Sequence, residues 1–158
     1  MKRLWKIMFL AFLFMMFAIQ LVRPSISNPA VDPASEITAA HPMTPEVTAI
    51  LQRSCNDCHS NRTVWPWYSN VAPASWLVSH DVREGRDALN LSEWTRYAPQ
   101  KQHKLMEEIC EQVTEGEMPA SQYTLLHRSA RLTRVDVQAV CSWTGRPTEQ
   151  EAMTEEDH

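Results

Sequence analysis

The sequence predicts an all-α domain preceded by an N-terminal membrane helix. Three observations support this. A long apolar stretch opens the chain behind basic residues, the middle of the chain shows repeated helix start and stop signals, and no segment sustains the apolar–polar alternation of a half-buried strand. The 158 residues include only three glycines. That scarcity argues against an all-β sandwich, a Rossmann fold or a phosphate-binding loop, each of which needs glycine at tight turns. The length suits one compact domain with additional segments.

Lys2, Arg3 and Lys6 precede an apolar run from Ile7 to Val22 that only Gln20 interrupts. Sixteen residues at about 1.5 Å each give about 24 Å, slightly short of a hydrocarbon core of about 30 Å. Leu4 and Trp5 extend the run, Lys6 can snorkel, and Trp5 suits an interface. The competing reading is a cleaved signal peptide, but Phe17-Ala18-Ile19-Gln20-Leu21 lacks the usual pair of small residues. Residues 1–23 are therefore expected as an uncleaved anchor. The positive-inside rule leaves the N-terminus cytoplasmic and exports the rest. The expected location is a bacterial inner membrane, crossed once, with the domain on the periplasmic side.

The whole chain has a formal charge of −4. Lys2, Arg3, Lys6 and Arg23 lie at the anchor, so the exported part sets 11 basic residues against 19 acidic ones, a net charge of −8. This balance gives no support to nucleic-acid binding, and anionic headgroups should repel most of such a domain. Residues 24–43 hold four prolines among small polar residues and read as an extended, semi-rigid spacer lifting the domain off the membrane. Residues 147–158 hold five acids and read as a solvated tail.

The expected domain covers residues 44–146. Thr44-Pro45 is a capping hydroxyl followed by proline at the first helical position, and Val47, Ile50, Leu51 and Ser54 share a face leading into Cys55. A second helix is expected over Pro73–Leu89, with Trp76, Leu77 and His80 on one side. A third spans Pro99–Glu115, buries Leu105, Met106, Ile109 and Val113, and stops at Gly116. A short helix covers Ser121–His127. The last starts at Thr133, with Asp136 at the capping-box position and Leu132 and Val137 as a hydrophobic staple, and ends at Gly145. Cys110 and Cys141 fall on buried faces of the last two long helices. Small unpaired thiols are expected there, with a disulfide as the alternative in an oxidising compartment.

Cys55-Asn56-Asp57-Cys58-His59 is a C-x-x-C-H sequence, the attachment signature of c-type haem. Two thiols one helical turn apart can each add to a porphyrin vinyl group, and the adjacent histidine then faces the iron. A thioredoxin-like redox pair would normally sit at a strand-to-helix turn, which the pattern lacks. A zinc site would need a second close ligand pair, which Cys110 and Cys141 do not form. The expected fold is thus a cytochrome c-like helical domain around one covalent haem, held by Cys55 and Cys58 with His59 as proximal ligand.

Met118 is the expected distal ligand. Gly116 stops the preceding helix and Pro119 biases Met118 towards an extended backbone, which can present a thioether from a loop. His80 is the alternative distal ligand, placed on an apolar helix face near Trp76. His103 falls on a solvated face, and His127 could bond to backbone or to a haem propionate. The aromatic run Trp65-Pro66-Trp67-Tyr68, continuing to Trp76, can wall a haem, and Arg62, Arg83 and Arg86 are candidates to neutralise propionates.

CHSNRTVWPWYSNVAPASWLVSHDVREGR, the following NLSEW and GEMPASQYTLLH together resemble the bacterial haem-binding domain family of small, often membrane-anchored c-type haem proteins. The resemblance covers roughly residues 25–145. It implies covalent haem at Cys55 and Cys58, iron ligation by His59 and support for Met118, and it names no redox partner. The expected function is one-electron transfer by a membrane-tethered monohaem cytochrome to protein partners, without catalysis. A haem-based sensor or small-ligand module with a displaceable distal ligand is the alternative. A peroxidase would need an open distal site and a base such as His80.

Overall fold

The computed structural model describes residues 1–145, so the acidic tail expected over 147–158 lies outside the described residues. Among them all regular structure is helical, as the sequence reading expects. The helices are α1 (Lys2–Ala18), α2 (Ile37–Ala40), α3 (Pro45–Ser54), α4 (Asn56–His59), α5 (Ala74–Ala88), α6 (Pro99–Glu115), α7 (Ser121–Leu126) and α8 (Arg134–Thr144), joined by loops and short 3-10 turns. With its closing 3-10 turn α1 forms a 20-residue helical segment, Lys2–Leu21, containing an 18-residue stretch of mean hydropathy 2.0. That segment is long and apolar enough to cross a membrane.

Local chemistry sets the helix ends. The Thr44 hydroxyl accepts from the Val47 amide with Pro45 at the first helical position, and α3 buries Val47, Ile50, Leu51 and Ser54. In α8 Thr133 and Asp136 form the reciprocal capping box, with Gly145 closing the helix at φ 80°. Gly116 closes α6 at φ 75°, a left-handed conformation that glycine adopts without strain.

Two adjoining apolar clusters make the core. One gathers Ile37, Leu91, Trp94, Leu105 and Met106, with Cys55 and Trp143 packed against it. The other joins α3, α6 and α8 through Ile50, Cys110, Val113, Val140 and Cys141. Ile109 touches both. Across the α6–α8 contact Cys110 and Cys141 form a disulfide, which corrects the expectation of two unpaired thiols. Burial disposes both faces to the same core, and the 4.8 Å between their Cα atoms lies within disulfide reach.

The segment 24–43 also differs from the extended spacer its composition suggests. Ile37 is 3% exposed inside the first cluster, Met43 packs beside it, and His41 meets Trp94 edge to ring. Glu36 pairs with Arg62 at 2.8 Å. The Asn28 amide donates to the Thr63 carbonyl and its oxygen accepts from Trp65 and Arg86. Isolated anchors of this kind carry no helical period, so prolines and small residues hide a strap that wraps the domain.

Candidate functional site

The chain breaks its helix at Cys55 (φ −124°), then resumes as the single turn α4. The Cys58 and His59 amides both donate to the Cys55 carbonyl, at 3.2 and 2.9 Å. This holds the C-x-x-C-H residues on one turn. α4 lies against the second half of α5, where Gly85 meets Cys58.

His59 is fixed from the same helix. Its Nδ1 lies 2.9 Å from the Gly85 carbonyl oxygen and 3.1 Å from that of Leu89. A ring nitrogen facing two carbonyls carries the proton, so Nδ1–H donates and Nε2 keeps its lone pair. Burial holds the imidazole pKa below its ordinary value, against the smaller upward pull of those hydrogen bonds, which keeps the ring neutral at pH 7. Burial pushes the Cys55 thiol up to about 12. Burial, then Asp57 and Asp81, push the Cys58 thiol up to about 11. A dithiol redox pair works through a lowered thiol pKa, so this environment is the opposite of what such chemistry needs. Among the described residues no three or more His, Cys, Asp or Glu side chains are grouped to hold a bare metal ion. The donor set fits a c-type haem: two thiols a turn apart and a neutral imidazole with Nε2 available.

The loops around α4 are pinned by a buried polar cluster. Asn61 donates from its backbone to Ser92 Oγ at 3.1 Å and accepts from Asn90 Nδ2 at 2.9 Å. Asn90 caps the Leu91–Arg96 3-10 turn through the Ser92 amide, and its own amide donates to the Tyr97 hydroxyl. The residues of NLSEW thus hold the turn after Cys58 in register, with Trp94 fully buried beneath them.

A second network comes from α7 and was not visible in the sequence. Tyr123 donates its hydroxyl hydrogen to Asp57 Oδ2 at 2.7 Å. Asp57 Oδ1 accepts from the Val64 amide at 2.9 Å. The His127 ring stacks on Tyr123 with centroids 4.3 Å apart, and its Nε2 lies 2.7 Å from the Tyr68 hydroxyl. Burial, followed by Asp57, raises the pKa of both phenols. His127 therefore bonds to a side chain rather than to backbone. No spacing rule pairs residues 57 and 123, so this contact had no sequence signal. Gly85 did have one, as a lone glycine inside a helix in a chain with three glycines.

Met118 follows Gly116 in the loop that α7 ties back to Asp57; its amide donates to the Gln112 carbonyl, and it is 39% exposed. His80 does not lie on a covered apolar face. Its side chain is 54% exposed, with Nδ1 accepting from Arg83 at 3.0 Å and Glu84 4.0 Å away. The reason is that α5 turns Ser75 and Val82 inward and leaves Trp76, Leu77 and His80 outside. The arginines are committed as well. Arg86 donates to Ser60, Ser27, Asn28 and Thr63, and Arg62 pairs with Glu36.

Neither a curated protein nor a solved structure matches this chain. The sequence pattern of the haem-binding domain family does, over residues 14–146. This span takes in the strap, the C-x-x-C-H turn, the Met118 loop and the disulfide-linked helices, and on it the chain belongs to the haem-binding domain family.

Proposed function

We propose that this protein is a membrane-tethered c-type cytochrome that carries single electrons on one covalent haem. The observation that carries the reading is His59, whose Nδ1 is held by two carbonyls while Nε2 stays available beside two thiols spaced one turn apart. Cys55 and Cys58 would bind the vinyl groups, His59 the proximal side of the iron and Met118 the distal side. A bound haem supplies reversible one-electron chemistry, and methionine ligation raises its potential. The chain's own part is to hold the imidazole neutral and oriented, and to brace the Met118 loop through Tyr123 and Asp57.

Two features support export of the domain. Lys2, Arg3 and Lys6 stand before the apolar helix, and the Cys110–Cys141 disulfide suits an oxidising compartment. The haem domain then faces the bacterial periplasm.

Optical and magnetic spectroscopy of the purified protein in both oxidation states tests this directly. The expected result is a low-spin haem that acid organic solvent does not extract, with a red-edge charge-transfer band in the ferric form. Met118→Ala should abolish that band and lower the potential, and an unchanged spectrum overturns Met118 as ligand. Fast carbon monoxide binding by the reduced protein would overturn electron transfer in favour of a ligand-binding module.

A further inference from the structure

The chain carries seventeen consecutive residues without a charged side chain, Thr63 to Ser79, in an exported region whose net charge is −8. Three of them are tryptophans. The structure does not bury this run as a core. Trp67 is 78% exposed and Val71 45%, and Trp76 is also exposed. Exposed indoles on an otherwise acidic domain call for an occupant, and the fold supplies a position for it.

That position is set by three hydrogen bonds to the end of the apolar helix. Gln20 Nε2 donates to the Ala72 carbonyl at 3.0 Å, and the Ala72 amide donates back to Gln20 Oε1 at 2.9 Å. Trp76 Nε1 donates to the Val22 carbonyl at 2.7 Å. Gln20, the one interruption of the apolar run, is thus satisfied by backbone, as a polar group near hydrocarbon requires. The apolar run of α1 ends at Val22, directly after the 20-residue helical segment Lys2–Leu21. Val22 then stands at the outer edge of the hydrocarbon. Ala72 and Trp76, bonded to this end of the helix, stand at the same level, with Val71 and Trp67 adjoining. A cavity of about 160 Å³ lies at the junction, and its only charged lining residue is Arg23, a side chain suited to lipid phosphate.

We propose that the face formed by Trp67, Val71 and Trp76 rests in the headgroup region of the bilayer that holds α1, so that the haem domain is seated on the membrane surface instead of swinging from a tether. This rests on α1 crossing the membrane. The occupant is lipid because the face continues directly from the membrane helix, lacks charge where the rest of the domain is acidic, and presents indoles, which favour the lipid–water boundary. The acidic residues of the domain all lie outside the run. An electron partner would then meet the haem at the membrane surface.

Nitroxide labels on full-length haem-loaded protein in lipid nanodiscs test the seating. Single cysteines are introduced as Val71→Cys, Phe12→Cys and Glu107→Cys, and the parent protein, labelled in parallel, gives the background from its own thiols. Accessibility to oxygen and to a water-soluble nickel chelate is measured for each label against the same sample without relaxant. Seating predicts an oxygen-to-nickel accessibility ratio at Val71 several-fold above that at Glu107 on α6, and below that at Phe12 within α1. A Phe12 label deep in lipid with a Val71 label as wet as Glu107 overturns the seating and leaves the anchor intact. A Val71 label shielded from both relaxants means that protein covers the face, which also overturns it. A wet Phe12 label overturns the anchor and the seating together.

Discussion

A Cβ on Gly85 would stand 2.7 Å from the carbonyl oxygen of Cys58 and 3.1 Å from its Cβ. The nearest atom is backbone, so it cannot swing aside as a long side chain would. Glycine in mid-helix costs about 1 kcal/mol relative to alanine, which by itself favours the substitution. Here the crowding works against it: α4 must move off α5, and overpacking of this kind costs about 1–3 kcal/mol. Gly85→Ala is expected to lower the unfolding midpoint. It should also reduce the haem-to-protein ratio, because the same shift disturbs the carbonyl of residue 85 that holds His59. A haemochrome assay beside a thermal melt reads both, and a variant more stable than the parent with full haem would refute the close approach.

Tyr123 reaches across 66 residues of sequence to Asp57 inside the C-x-x-C-H turn. Tyr123→Phe keeps the ring stacked on His127 and removes only the hydroxyl, leaving Asp57 Oδ2 without that donor. A hydrogen bond to a charged acceptor contributes about 1–3 kcal/mol. The loss should loosen α7 and with it the Met118 loop. The expected outcome is modest destabilisation with faster carbon monoxide binding to the reduced haem than in the parent. Equal binding rates would separate Tyr123 from the distal side.

The disulfide closes 31 residues between α6 and α8. Loop-closure entropy for that separation corresponds to about 3–4 kcal/mol. Replacing the pair by alanine, Cys110→Ala with Cys141→Ala, should lower stability by an amount of that order while leaving haem incorporation in place at low temperature. Denaturant melts with and without reductant check the parent, which should lose the same stability on reduction. A parent indifferent to reductant would contradict the bond.

Those helices show what the sequence makes legible. Pro99 and Gly116 bound α6 from local signals alone, and Thr133 with Asp136 starts α8. Each signal acts within four residues, where the chemistry of a cap is complete. The C-x-x-C-H turn is legible for the same reason. What stayed hidden depends on contacts between distant segments: Ile37 entering the core from a proline-rich stretch, Asn28 bonding Arg86, and Tyr123 meeting Asp57. The outward face of α5 was misleading because apolar Trp76 and Leu77 look like core, whereas the inward side needs small residues to let α4 approach at Gly85.

Asp136 joins α8 to α3 and links stability to acidity. Its carboxylate accepts from the Thr133 amide and hydroxyl and lies 2.8 Å from Arg53 Nη2. Burial pushes its pKa up, but the Thr133 hydrogen bonds and the Arg53 pair outweigh burial and hold it below the ordinary value of 3.8. As pH falls through that ordinary value the unfolded chain takes up a proton that the folded chain still refuses. Stability therefore falls with pH in that interval, is fully present above about pH 5, and is lost below the folded pKa. Asp136→Asn keeps an acceptor oxygen for the cap and removes the charge. The variant should be about 0.5–1 kcal/mol less stable at pH 7, the scale of a weakened cap and a partly exposed ion pair. At pH 2.5 the gap to the parent should narrow, since below the ordinary carboxylate value the unfolded parent binds a proton that its folded state holds off, and the advantage of the charge shrinks. Denaturant melts of both proteins at the two pH values check it, and a gap that stays constant would show that the charge of Asp136 contributes nothing.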